Sequence, residues 1–314
     1  MDNLLDRYWY YAIEMAPGVI TPGKRFPNVA ITRDLLSRID VKGQRCLDIG
    51  TMEALVPVIL AKRGASGVVA VDGLDFGEKV AAVREAHNVS FAYVPGVLSG
   101  SLVRSMEERV AGDMTEHRFA GGPKPRLDFD VVVLSGMLYH VHSPLHVLAA
   151  ARSLLRPGGL MIVETAIMPM DAYLMQWNFA GTGYVYGPTD TWFMTVPLLD
   201  HFLRFLKMMP LDARWIPAGT GVARFACVAR AVDYRPRLPA ETLMEEAPWN
   251  LEHAALHREN LFPDPKLPPV PYTTAAKPVY RPGVGSCDLF ATMQASQPLN
   301  VTPELVELRL GATI

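Results

Sequence analysis

Residues 45–56 read RCLDIGTMEALV. Cys46-Leu47-Asp48-Ile49 makes a short buried strand, Gly50 turns the chain, and a helix starts near Ala54. A strand that ends in a turn and feeds a helix N-terminus is the nucleotide-binding corner of an open α/β sheet, where backbone amides face the ligand. The G-x-G-x-x-G dinucleotide fingerprint is absent, and no lysine stands where a P-loop needs one. Instead an acidic residue, Asp48, precedes the glycine by two positions. An ordinary buried strand and turn would read the same way, so the decision rests on what surrounds the stretch.

Working outward, apolar runs alternate in type. A helix is expected over 28–40, strands over 45–49 and 67–71, helices over 54–63 and 77–86, and a strand over 90–94. Residues 129–134 form a continuous apolar run of the fully buried parallel kind. A helix over 144–155 stops at Arg156-Pro157-Gly158-Gly159, a strong breaker, and a strand follows over 160–165. Such alternation implies right-handed βαβ units and one parallel sheet. Residues 212–217 and 222–231 then read as a hairpin joined by Ala218-Gly219-Thr220-Gly221.

Acid before glycine at Asp48 and Gly50, with the parallel sheet and closing hairpin, resembles class I S-adenosylmethionine (SAM)-dependent methyltransferases. Their first motif is [D/E]-x-G-x-G-x-G; here Met52 and Ala54 hold the second and third glycine positions. The resemblance implies a Rossmann-like α/β fold, a mostly parallel seven-stranded sheet ending in an antiparallel hairpin, and SAM as cofactor. It places Asp48, Gly50, Thr51 and Met52 at the cofactor. Asp72 ends the second strand, where a carboxylate can accept both ribose hydroxyls; a strand-end carboxylate facing water is the plainer alternative. Gly73 lies beside it, and Val97, after the third strand, falls at the adenine edge by position.

Residues 134–148, LSGMLYHVHSPLHVL, followed by LLRPGGLMIVET, resemble the tRNA wobble-uridine carboxymethyltransferases and their small-methyltransferase relatives over about residues 40–170. This resemblance implies Ser135 and Gly136 beside the methionine part of SAM, with Tyr139 and His140 at the mouth and His140 as base or substrate orienter. The RNA-modifying members carry basic residues past the histidine, whereas this chain has Val141-His142-Ser143. An RNA enzyme needs a basic surface for phosphates. The net charge is −2 and no Lys/Arg cluster stands out. The fold and methyl transfer therefore carry over, and the RNA substrate does not.

The remaining features bound the function. The N-terminal 1–40 form an aromatic arm and helix, with Tyr8 to Tyr11 either packed on the domain surface or lidding the pocket. Residues 41–232 form the SAM-binding domain, and the insertion 166–210 is expected to build the substrate pocket from Trp177, Asn178, Tyr184, Tyr186, Trp192 and Arg204, joined by Tyr11. Aromatic faces and methionines there suit a cation or a thioether, although such residues also fill ordinary cores. The proline-rich extension 233–314 wraps the core or builds a homo-oligomer contact, as can the arm. His140, His142 and His201 lack a companion carboxylate or cysteine, so no metal is expected. Three scattered cysteines suit a reducing, cytoplasmic setting. No signal peptide, membrane span or nucleic-acid partner is expected.

These readings favour SN2 methylation of a small metabolite. A narrower resemblance, to the bacterial methionine S-methyltransferases of dimethylsulfoniopropionate synthesis, implies S-methylation of an amino acid such as methionine. A tRNA methyltransferase and a non-catalytic SAM-fold subunit remain the alternatives.

Overall fold

A computed structural model describes residues 2–97, 102, 129–178, 192–219, 221–231, 278–281 and 286–311. After a helical turn at Asp2–Leu5, the arm folds back as a hairpin of β1 (Ala12–Ala16) and β2 (Val19–Ile20), and α1 follows (Pro27–Ser37). The βα alternation runs β3 (Arg45–Ile49), α2 (Leu55–Lys62), β4 (Gly67–Val71), α3 (Gly77–His87), β5 (Ala92–Val94), β6 (Phe129–Ser135), α4 (Pro144–Ser153) and β7 (Leu155–Met168). Then come β8 (Met175–Trp177), β9 (Trp192–Thr195), α5 (Val196–Phe205), β10 (Met208–Pro217), β11 (Ala223–Ala231), α6 (Leu289–Ala295), α7 (Pro303–Val306) and β12 (Glu307–Leu308).

The main sheet runs β10-β11-β7-β6-β3-β4-β5. The strands from β7 to β5 are parallel, and β11 enters antiparallel to both β7 and β10. The expected seven-strand order is therefore present, and β8 and β9 add two short strands beyond the end of β7. Because strand side chains alternate between faces, one strand feeds two cores. Leu47, Val132, Met161 and Phe225 pack with α4, α5 and α6 on one face. Cys46, Val131, Leu160 and Ala226 pack with α1, α2 and α3 on the other.

One expectation is corrected here. The Arg156-Pro157-Gly158-Gly159 segment does not interrupt the sheet; β7 already begins at Leu155. The register shifts between Phe129 and Val131, Gly158 takes a positive φ of 78°, and Arg156 pairs with Asp130, whose carboxylate also accepts the Arg45 N–H at 2.7 Å. The breaker residues thus make a bulge anchored by charge. The described part of the C-terminal extension packs on its own domain. Leu289 and Met293 enter one core, Tyr280 donates to Asp212 at 2.6 Å, and β12 pairs in parallel with β1. Among the described residues no helix is long and apolar enough to cross a membrane.

Candidate functional site

The site opens at the C-terminal ends of β3, β4 and β6, where an open parallel sheet leaves its loops. Ile49, Gly50, Val71, Asp72, Gly73, Val97, Leu102, Met137 and Val147 line a small cleft open to solvent. Of the predicted cofactor residues, Gly50, Asp72, Gly73 and Val97 are on its wall. The Asp72 carboxylate accepts the Met52 N–H at 2.8 Å and the Leu74 N–H at 2.9 Å, which fixes it at the rim. Burial raises its pKa, and these amides oppose the shift.

The loop between β3 and α2 keeps a glycine-type backbone without the glycines. Gly50, Met52 and Ala54 have φ of 82°, 47° and 66°. A Cβ in this region costs roughly 1–2 kcal/mol, so surrounding contacts must hold Met52 and Ala54 in place. Asp72 is one such contact. The Ala54 N–H to Thr51 carbonyl bond, at 2.9 Å, is another. Beneath the loop Asp48 is buried, and desolvation pushes its carboxyl up to about 7. Asp48 Oδ2 and Thr51 Oγ1 are both buried here, and the Thr51 hydroxyl opposes the Asp48 shift.

These features fit a nucleoside cofactor bearing an amino acid. The missing Cβ at Gly50 leaves room for the Met137 side chain on the cleft wall, buried polar atoms of Asp48 and Thr51 lie under the loop, and Asp72 has lone pairs left for hydroxyl donors. Met137 connects this cleft to the next part of the site. It lines the cleft, and its side chain lies over Gly50, where an added Cβ would meet it at 2.5 Å.

Beyond Met137, Gly136 turns with φ of 72° and Leu138–His140 form a 3-10 turn. Tyr139 is buried against His140, with ring centroids 4.1 Å apart, and His140 is exposed. Behind Tyr139 lies a buried charge pair that the sequence reading did not single out. Arg224 donates to both Glu164 oxygens, at 2.7 and 2.8 Å, and its guanidinium stands 4.7 Å from the Tyr139 ring centroid. Burial pushes the Glu164 carboxyl up, and Arg224 pulls it back. Ser135 also donates to Glu164 at 3.1 Å and bonds Thr32 at 3.0 Å, so its hydroxyl faces α1 and the ion pair. The available signal was a charged residue inside each of two apolar strands, since a buried charge needs a partner.

The arm reaches this same region. Tyr10 stacks on Phe26 at 4.3 Å, its hydroxyl accepts from Asn28, and its N–H donates to Glu53 at 3.0 Å. The hydroxyl end of half-buried Tyr11 is enclosed; burial raises its pKa well above the ordinary value, and Tyr10, Asp48, Glu53 and Glu164 add to this. The remaining substrate candidates separate. Trp177 and Trp192 pack edge to face at 4.6 Å, and Trp192 donates to the His142 carbonyl at 2.9 Å, next to the 3-10 turn. Asn178 is buried at the end of β8. Tyr184 and Tyr186 lie outside the described residues. Arg204 pairs with Asp200 at 2.7 Å and donates to Ser286 and the Cys287 carbonyl, which ties it to the C-terminal segment.

The methyltransferase domain family matches residues 24–213. The chain is 33% identical over 128 residues to a ubiquinone biosynthesis O-methyltransferase of Marinobacter nauticus, covering 41% of this chain and 46% of that protein. It is 31% identical over 137 residues to the Pseudomonas aeruginosa protein of the same name, covering 44% and 50%. The chain thus spans about half the length of the curated relatives it matches. Among solved structures, the 1,6-didemethyltoxoflavin-N1-methyltransferase of Burkholderia thailandensis, with its substrate and S-adenosylhomocysteine bound, is 20% identical, with a TM-score of 0.42 over 67% of this chain and 78% of that one. With the family match spanning more than half of its length and the sheet order described above, the chain belongs to the methyltransferase domain family, the class I SAM-dependent methyltransferases.

Proposed function

We propose that this chain methylates an oxygen of a small acceptor molecule. One observation carries the reading: Met137 lines the cleft bounded by Gly50 and Asp72 and also opens the turn that presents Tyr139 and His140. A cofactor in the cleft and an acceptor at the turn would therefore meet across one side chain. SAM, when bound, supplies an electrophilic methyl carbon. Asp72 accepts the ribose hydroxyls, and Gly50 lets the backbone come close. Tyr139, held by the Glu164–Arg224 pair, forms a rigid wall. His140, exposed at the mouth, takes the proton that the acceptor hydroxyl loses. Most of the acceleration comes from alignment and exclusion of water.

An oxygen acceptor is favoured because it needs a base and His140 is exposed beside the cleft wall at Met137, and because the curated relatives are named as O-methyltransferases. S-methylation of an amino acid such as methionine would need no base, only alignment and a site for the sulfonium. Support for it is thinner, since Trp177 and Trp192 already turn one ring edge onto the other's face. The test is incubation with methyl-labelled SAM and three acceptor pools: small phenols and catechols, methionine, and bulk tRNA. Label on a hydroxyl compound supports the proposal. Label on methionine alone or on RNA alone overturns it.

A further inference from the structure

We propose that Glu53 and Lys79 are positioning residues for the cofactor, acting by clamping the aromatic arm onto the loop between β3 and α2. The proposal rests on the reading of that loop as the SAM site. Glu53 stands between Met52 and Ala54, the two non-glycine residues with left-handed backbone. It is fully buried, an unusual place for a carboxylate on a loop. Its Oε1 accepts both the Tyr10 N–H at 3.0 Å and the Lys79 ammonium at 3.2 Å. Its Oε2 is buried with no hydrogen-bond partner.

Lys79 arrives from α3 with 14% of its side chain exposed. Its Nζ lies 5.1 Å from the Trp9 ring centroid, 5.6 Å from Phe76 and 6.0 Å from Tyr8, and it donates to the Tyr8 carbonyl. Aromatic faces stabilise such a cation. One ammonium therefore binds both the arm and the loop carboxylate. The arm in turn ties the Tyr10 hydroxyl to Asn28 on α1, one turn before Thr32, which bonds Ser135. The contact replaces what glycines would supply at positions 52 and 54. Asp72 holds the loop from the cleft side, and the arm holds it from the other, so a backbone that disfavours this shape still adopts it. Release of the arm frees the loop to relax away from the cofactor.

The test uses the full-length protein. Lys79→Met keeps the apolar stem against Trp9 and Phe76 and removes the charge. Amide exchange of the peptide spanning residues 8–11, read by mass spectrometry, reports the arm. Calorimetry with S-adenosylhomocysteine reports the loop. We expect exchange to accelerate at least about tenfold and affinity to fall about tenfold, a change of about 1.4 kcal/mol that lies between the worth of an exposed ion pair and the cost of breaking a buried one. Lys79→Arg, which retains the cation, restores most of both. Unchanged exchange overturns the clamp, and faster exchange with unaltered affinity overturns its link to the cofactor. If Lys79→Met does not fold, Glu53→Gln is measured against the same outcomes, since it still accepts the Tyr10 N–H but lacks the charge. A wild-type protein that binds no S-adenosylhomocysteine overturns the cofactor reading as well. Normal wild-type binding with an unaltered variant overturns only the clamp.

Discussion

Replacing Gly50 by alanine separates the cleft from the rest of the fold. Gly50 has φ of 82°, and an added Cβ would stand 2.5 Å from Met137 Cγ and 2.6 Å from its Sδ. The left-handed backbone costs an alanine roughly 1–2 kcal/mol. Displacing Met137 from its rotamer adds roughly 0.5–1.5 kcal/mol. The total is about 1.5–3.5 kcal/mol, offset by roughly 0.4–1 kcal/mol from the stiffer unfolded chain. Gly43 is the control, because it has φ of 72° and nothing within 4 Å of an added Cβ. Gly43→Ala carries only the backbone cost, about 1–2 kcal/mol, with the same offset. Denaturant unfolding measures both variants, and calorimetry with S-adenosylhomocysteine decides between them. Gly50→Ala should bind at least about tenfold more weakly, a loss of about 1.4 kcal/mol, because its methyl group and the displaced Met137 enter the cleft. Gly43→Ala should bind as the wild type does. Equal affinities in the two variants would refute the placement of the cofactor over Gly50.

Three further outcomes are expected. Asp48 keeps its proton in the fold up to about pH 7 but ionises near 3.8 when unfolded, so it makes stability fall as pH rises from about 4 to 7 and level off above. Asp48→Asn should flatten that part of a stability-against-pH curve and gain up to a few kcal/mol at pH 8; an unchanged slope would show that Asp48 is not the group responsible. Arg224→Met leaves Glu164 buried without its cation and should destabilise by about 3–5 kcal/mol. Adding Glu164→Gln should recover much of this in denaturant unfolding, and an equally unstable double variant counts against the pair. His140→Ala should slow methyl transfer about 100-fold or more while S-adenosylhomocysteine affinity stays within twofold of wild type; the opposite pattern moves His140 to the cofactor.

Much of the sheet was legible because strand signals are local. The bounds of β3 and β4 coincide with the expected 45–49 and 67–71, since each is a short apolar run closed by a turn. The closing hairpin and the buried character of β6 follow from the same kind of signal. The bulge at Arg156 to Gly159 was not legible, because Asp130, which anchors it, lies on another strand. The contacts of Arg204 were not legible either, because its partners Ser286 and Cys287 are far along the chain.

The opening stretch divides along the same line. By itself the sequence determined that residues 45–56 form a strand, a turn and a helix, with Asp48 and Asp72 at strand positions suited to a nucleoside. Those are consequences of period and spacing along one segment. The tertiary structure alone decided that Met52 and Ala54 still take the backbone of the glycines they replace. That backbone is disfavoured locally, and besides the Ala54–Thr51 bond within the loop it is held by contacts from elsewhere, namely Asp72 at the end of β4 and the arm held by Glu53 and Lys79. The Glu164–Arg224 pair has the same origin. Its members are 60 positions apart and meet only because β11 runs antiparallel to β7 and places Arg224 diagonally across from Glu164.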